Sequence, residues 1–316
     1  MIGYVARRLG GLVVVLVVTS FLVFSGLHIA PGSPETFLLA GKTVTPEARA
    51  AIREQYHLDD PFLSQYVQWG GALLQADFGR SLVFRQDVGS LVWSRIPTTL
   101  YLGAFSAVLI LSVGLLLGIV AALRRGAVDS VVLVGTTVLA GTPSFVAAIV
   151  LISVFAVGLG WFPTFGAGEG LAGRVEHLTL PAIALALSYL ALVARVTRSA
   201  MLEELRREHV ETARVRGIPE RSIVRRHVLR NALAPITTIS GIVVAGLLTA
   251  AVVVESAFGL NGLGSLLVQS VNVKDFPVVQ AIALLLVTVF VLVNLLVDLL
   301  YGFIDPRVVL GRDERR

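Results

Sequence analysis

The sequence of 316 residues has no cysteine, which removes disulfide scaffolds, iron–sulfur clusters, thiol nucleophiles and thiolate zinc sites together. Charge is scarce as well: Asp, Glu, Lys and Arg make up 15% of the chain, where soluble domains carry roughly 25%. Lysine is nearly missing, Lys42 and Lys274 being the whole supply. So few charges cannot cover the surface of a water-soluble protein, and a chain this hydrophobic cannot stay disordered. What is abundant is apolar, 55% of residues with a mean hydropathy of +0.83. The chain reads as an all-α integral membrane protein.

A helix needs about 20 apolar residues to cross the ~30 Å hydrocarbon layer. Stretches free of Asp, Glu, Lys and Arg give six transmembrane helices, at 9–30, 98–123, 131–157, 178–194, 233–254 and 276–297. The fourth is the shortest, and Arg195 and Arg198 at its end are expected to snorkel to the headgroups. The first follows Arg7 and Arg8 as a signal peptide would, but its apolar run is too long and no A-x-A-like site follows. It reads as an uncleaved anchor. The segments on the side of the N-terminus, including 124–130, 195–232 and the C-terminus, hold eighteen of the 26 Lys and Arg. The positive-inside rule therefore puts both termini in the cytoplasm, the chain being multi-pass in the cytoplasmic (inner) membrane. The net charge of +5 follows from this topology and from attraction to anionic membrane lipid, not from nucleic acid.

Two segments outside the bilayer are too long to be mere connectors. Residues 31–97 form an extracytoplasmic helical segment: Thr45 can cap a helix with Pro46 at its first position. Pro61 can open a second helix, carrying Gln65, Tyr66 and Trp69 and ending before Asp77-Phe78-Gly79. Residues 199–233 face inward. No repeat or linker divides the chain, which reads as one membrane domain over 1–316 with these two decorations.

Catalytic residues are not evident, and neither are metal ligands: His28, His57, His177, His209 and His227 show no metal-binding spacing. Gly41-Lys42-Thr43 imitates a phosphate loop, but Thr36 stands where the first glycine belongs and the segment faces outward. ATP is not expected to bind this chain. Glu255 and Asp298 fall at span ends and read as solvated headgroup residues. Within the spans, Gly114 and Gly118 form a GxxxG suited to close helix packing. Pro143, in Gly141-Thr142-Pro143-Ser144, frees a carbonyl that a neighbour or a water-lined cavity must satisfy. Thr142, Pro143, Ser144 and Glu255 are accordingly the candidate substrate-pathway residues.

The inward segment is the most informative. Residues 203–216 place Leu205, Val210 and Ala213 among charges, an amphipathic helix. Gly217 with Pro219 two residues on is a stop signal. A second short helix runs from Pro219 through Ile223 and His227 to Val228, and Pro235 marks entry into the fifth span. The segment could lie on anionic lipid or project a turn for protein docking. A DNA-reading helix-turn-helix tethered to the bilayer at both ends would reach no groove.

Glu211-Thr212-Ala213-x3-Gly217-Ile218-Pro219, then His227-Val228-Leu229, resembles the EAA loop of permease subunits of ATP-binding-cassette importers. Thr212 replaces the commoner alanine, and Arg230 stands where many families have proline. The variant His227-Val228-Leu229-Arg230-Asn231 is similar to the dipeptide, oligopeptide and nickel branch. Pro31-Gly32-Ser33-Pro34, Tyr56-x-Leu58-Asp59-x-Pro61 and Asp77-Phe78-Gly79-x-Ser81 agree with that branch. So do Leu159-Gly160-Trp161-Phe162-Pro163, Glu255-x-x-Phe258 with Gly262-Leu263-Gly264, and Asp305-Pro306-Arg307. The resemblance implies a type I permease moving peptides or a related solute, with nickel or heme-type cargo as the alternative. It implies as partners a second homologous permease, two cytoplasmic ATP-binding subunits that hold the ATP and Mg, and an extracytoplasmic substrate-binding protein. Glu211, Thr212, Ala213, Gly217, Ile218, Pro219, His227 and Leu229 would then be the ATPase-coupling loop. A self-contained secondary transporter is the rival from another class; the repeats, broken helices and intramembrane charges it calls for are not expected here.

Overall fold

The computed structural model describes residues 2–29, 46, 59–81, 83–124 and 126–304, and the side chains of all of these except 2–8, 27, 28 and 297–304. The expected Thr45 cap and the motifs at 31–34 and 305–307 lie outside them. The elements are α1 (Ile2–Ile29), α2 (Phe62–Leu74), α3 (Val88–Leu123), α4 (Ala127–Gly141), α5 (Ser144–Gly158), α6 (Gly170–Leu205), α7 (Glu208–Val215), α8 (Glu220–Ala257), α9 (Leu263–Asn272) and α10 (Phe276–Ile304). The described residues contain no β-strand, only an isolated bridge between Arg80 and Asp87.

α1, α3, α6, α8 and α10 are each long and apolar enough to cross a membrane, and α4 with α5 makes a sixth span only as a pair bent by 99°. The third span is thus broken, and the expected lack of broken helices is corrected. The reason is Pro143. It has no N–H to continue the ladder, and its ring pushes the preceding residue out of the helical region. Thr142 is accordingly extended, at φ −88° and ψ 113°.

The fourth span was drawn too short. α6 runs from Gly170 to Leu205 with Pro181 inside it, because its polar ends stay helical beyond the apolar window. Arg198 grips the carboxylate of Asp129 of α4 through Nε and Nη2, at 2.5 and 2.6 Å, and Arg195 donates to the Thr136 carbonyl at 3.2 Å.

The chain forms two compact units, each described by itself, with α3 running through both. The smaller holds α1, α2, the start of α3, α9 and α10 as far as Leu292. Its core is Val88, Leu91 and Val92 packed with Leu263, Leu266, Val278 and Ile282. The Asp77–Ser81 motif is explained here. Gly79 accepts the Val88 N–H at 3.0 Å, and the buried Ser81 hydroxyl donates to the Asp275 carboxylate before α10. Thr99 of α3 accepts the Leu263 N–H that opens α9, at 2.8 Å.

In the larger unit α6 packs against α4, α5 and α8, and α3 approaches it through the glycine pair. A Cβ at Gly118 would lie 2.6 Å from both the Ala194 carbonyl oxygen and Thr197 Cβ. One at Gly114 would lie 3.0 Å from Val193 Cβ. The GxxxG is therefore a packing device, because helices in lipid associate by close van der Waals contact. Gly118→Ala should destabilise the folded chain by about 1–3 kcal/mol, the usual range for overpacking, and Gly114→Ala by less. Thermal unfolding of detergent-purified variants reads the difference, and equal midpoints would contradict the contact.

Candidate functional site

The turn at Gly217 stands on an apolar base. Val210 and Ala213 of α7 are buried with Ala200 and Met201 of α6, Ile223, Val228, Ala232 and Ile236 of α8, and Ala122 of α3. Leu205, Ile218 and Leu229 pack against that cluster, half-buried. The amphipathic spacing read from the sequence is the face that makes this base. The helix is shorter than expected, since α6 ends at Leu205 and α7 starts only at Glu208. Arg207 lies between them in an extended conformation, at φ −77° and ψ 146°.

α7 ends in a Schellman motif. The Gly217 N–H donates to the Arg214 carbonyl at 2.9 Å and the Ile218 N–H to the Ala213 carbonyl at 3.2 Å, satisfying carbonyls the helix end leaves open. Gly217 has φ +73°, and nothing lies within 4 Å of where its Cβ would be. Glycine is needed for the left-handed backbone, not for space.

The chain then turns at Pro219 into α8, whose first turn leads into a π-helical stretch, Val224–Val228, and then into the long apolar part. The second short helix is therefore continuous with the fifth span, and Pro235 lies inside it instead of at its entry. His227 sits in the π stretch, half-buried, its ring 6.5 Å from that of His209.

Glu211 and Thr212 are exposed on the face of α7 opposite the base. Glu211 adds its charge to the surroundings of Arg214. Arg214 crosses the turn to Glu220 with bonds of 2.7 and 3.1 Å, which hold its guanidinium above the ordinary range. Arg207 pairs with Glu203 and Glu204, each at 3.0 Å. Glu211 lies in the first turn of α7, where the helix dipole favours an anion. Glu204 is the residue sequence reasoning missed: it is buried at the end of α6 and also receives Asn231 at 3.3 Å. The signal was its three-residue spacing from Arg207.

Of the pathway candidates, Thr142 and Pro143 form the break between α4 and α5, and Ser144 opens α5. The Leu139 carbonyl freed by Pro143 accepts the Thr142 N–H at 3.2 Å, Ser188 of α6 donates to the Thr142 carbonyl at 3.1 Å, and the Thr142 hydroxyl turns back to Val138 at 2.9 Å. Glu255, in the last turn of α8, is completely buried, which corrects its reading as a solvated headgroup residue. Among the described residues no group of three or more His, Asp or Glu could hold a metal ion.

With this geometry in place, comparison with known proteins is decisive. Residues 114–310 match the family model described as binding-protein-dependent transport system inner membrane component, and residues 1–103 match the N-terminal model of the same systems. The chain belongs to that family. It is 38% identical over 316 residues to a Brucella abortus (strain 2308) protein named as a peptide transport system permease, covering 98% of this chain and 99% of that one. It is 37% identical over 309 residues to the glutathione transport system permease GsiC of Salmonella choleraesuis, with the same coverage. Among solved structures it resembles the MetNI methionine ABC transporter in an inward-facing form, with a TM-score of 0.55 at 20% identity, covering 68% of this chain and 96% of that one. It also resembles an amino acid ABC transporter, with a TM-score of 0.52 at 22% identity, covering 67% and 93%. The fold is that of a type I ABC importer permease, and the chain is a multi-pass inner-membrane component of such a system. Family membership replaces the self-contained transporter, broken span included.

Two substitutions separate the base from the rim of the turn. Ala213→Asp buries a charge that has no partner, so the yield of folded chain should fall sharply. Arg214→Gln removes only an exposed pair and should cost no more than about 1 kcal/mol. Size-exclusion profiles and melting curves of the two variants test this order.

Proposed function

We propose that the chain forms half of the pathway of an importer for di- or oligopeptides and peptide-like solutes such as glutathione. The observation that supports this cargo is the likeness, over 98% of the chain, to permeases named for peptide and glutathione transport. A second homologous permease completes the pathway. Two cytoplasmic ATP-binding subunits hold ATP and Mg, and an extracytoplasmic binding protein delivers cargo. The chain itself is not an enzyme and carries no cofactor. Both termini and 199–233 face the cytoplasm, and 31–97 faces outward, as the distribution of arginine supports. Thr142, Pro143, Ser144 and Glu255 belong to the substrate pathway.

The test of cargo is to co-purify the binding protein with the transporter and identify its ligand by mass spectrometry. A peptide is the expected ligand; nickel or heme would overturn the peptide reading while leaving the importer intact.

The Gly217 turn is the ATPase dock, with Ile218 and Pro219 at its tip, Glu211, Thr212 and Ala213 on the helix before it, and His227 and Leu229 on the helix after it. Basic side chains around it, such as Arg216, Arg225 and Arg226, meet anionic lipid. Gly217→Val forces a β-branched residue into the left-handed region and adds bulk where the ATPase approaches. ATP-dependent uptake into vesicles and co-purification of the ATPase subunits should both drop severalfold, with Glu211→Ala milder. Normal assembly and transport in Gly217→Val would remove the docking assignment.

A further inference from the structure

The residues from Phe62 to Ala76 contain no Asp, Glu, Lys or Arg, whereas Asp59, Asp60 and Asp77 bracket them. Within this stretch α2 packs on α1 through one face. Phe62, Tyr66 and Trp69 stack on Phe24, with ring centroids 5.4, 5.6 and 5.2 Å apart, and Tyr66 meets Phe21 at 5.4 Å. The Tyr66 hydroxyl is hydrogen-bonded to Ser20 Oγ at 2.8 Å.

The depth of that contact is informative. Ser20, Phe21 and Phe24 lie inside Leu9–Gly26, the part of α1 apolar enough to cross the membrane. At 1.5 Å per residue they sit about 3–9 Å below its outer end. A helix held there is not standing clear of the bilayer.

The other face of α2 presents Leu63, Val67 and Leu74, exposed to 65, 64 and 92%. On α1, Val14, Val18 and Leu22 are likewise exposed. The three glutamines of the segment meanwhile donate to partners within it or at Asp60. Gln65 donates to the Asp60 carbonyl at 2.8 Å, Gln68 to the Asp60 carboxylate at 3.0 Å and to Ser64 at 3.3 Å, and Gln75 to the Gly71 carbonyl at 3.2 Å. In water such groups need no internal partner; in hydrocarbon each unsatisfied one costs several kcal/mol.

We propose that α2 is seated in the outer leaflet, with Leu63, Val67 and Leu74 among lipid acyl chains and the Asp59–Asp60 and Asp77 ends at the headgroups. Its 13 residues reach about 20 Å, too short to span. It is a wedge beside the first span, on the membrane face where cargo arrives. The inference goes beyond the transport reading; it rests on α1 being a span and on the outward placement of 31–97 proposed above.

The chain has no cysteine, so once any cysteines of the partner subunits are replaced, single nitroxide labels can be placed at Leu63→Cys, Val67→Cys and Leu74→Cys in the assembled transporter in phospholipid nanodiscs. Val14→Cys serves as the lipid reference and Gln86→Cys, on an exposed turn, as the water reference. Power-saturation EPR should give Leu63 and Val67 labels the pattern of Val14, with oxygen collisions severalfold above those of a water-soluble nickel chelate. The Leu74 label provides a second reading should a label at Leu63 or Val67 disturb folding. A nickel-dominated pattern like that of Gln86 would place α2 in water. Labels shielded from both reagents would place a protein partner over it. Either outcome overturns the proposal, while a water-like pattern at Val14 would instead refute α1 as a span.

Discussion

The larger unit depends on how closely α3 can approach α6. In lipid there is no hydrophobic gain from bringing two helices together, so association rests on contact itself. Gly114 and Gly118 let the backbone of α3 lie against Val193, the Ala194 carbonyl and Thr197. α6 is then available to organise its neighbours. It carries Ser188 to the Thr142 carbonyl at the bend, Arg198 to Asp129, and Met201 and Glu204 to the base of the turn. A side chain at Gly118 would disturb features that have no direct contact with it.

Much of this was legible in the sequence, and the exceptions share a physical cause. Windows free of charge locate spans because hydrocarbon excludes charge, and they located six. They do not see where a helix ends, because helical hydrogen bonds continue where the bilayer stops. α6 therefore overruns its apolar window at both ends, and α8 begins well before its own. Pro143 was read as a freed carbonyl when its larger effect is the bend. Arg198 was assigned to headgroups because its partner, Asp129, is 69 residues away, and pairing across that separation leaves no local pattern.

The turn was read more faithfully. Gly217, Pro219 and the spacing of Val210 and Ala213 are local signals, and the backbone uses each for the expected reason. Charge was read less well. Glu211 and Arg214 are at helical spacing, yet Arg214 bonds to Glu220 across the turn. That link ties the end of α7 to the start of α8, which sequence spacing within one helix cannot reveal.

The continuity of α8 has a mechanical consequence. From Glu220 beside the turn to Ala257 beyond the buried Glu255, it is a single rod of 38 residues, about 57 Å at 1.5 Å per residue. A stiff rod conveys thrust without attenuation, except where its ladder of hydrogen bonds is altered. α8 is altered near the same end twice, by the π stretch at Val224–Val228 and by Pro235. Compliance is therefore concentrated next to the turn, and the remainder moves as one piece. Any displacement the turn receives reaches Glu255 as rotation or translation of a rigid shaft, with its give set by a few residues at the end nearer the turn.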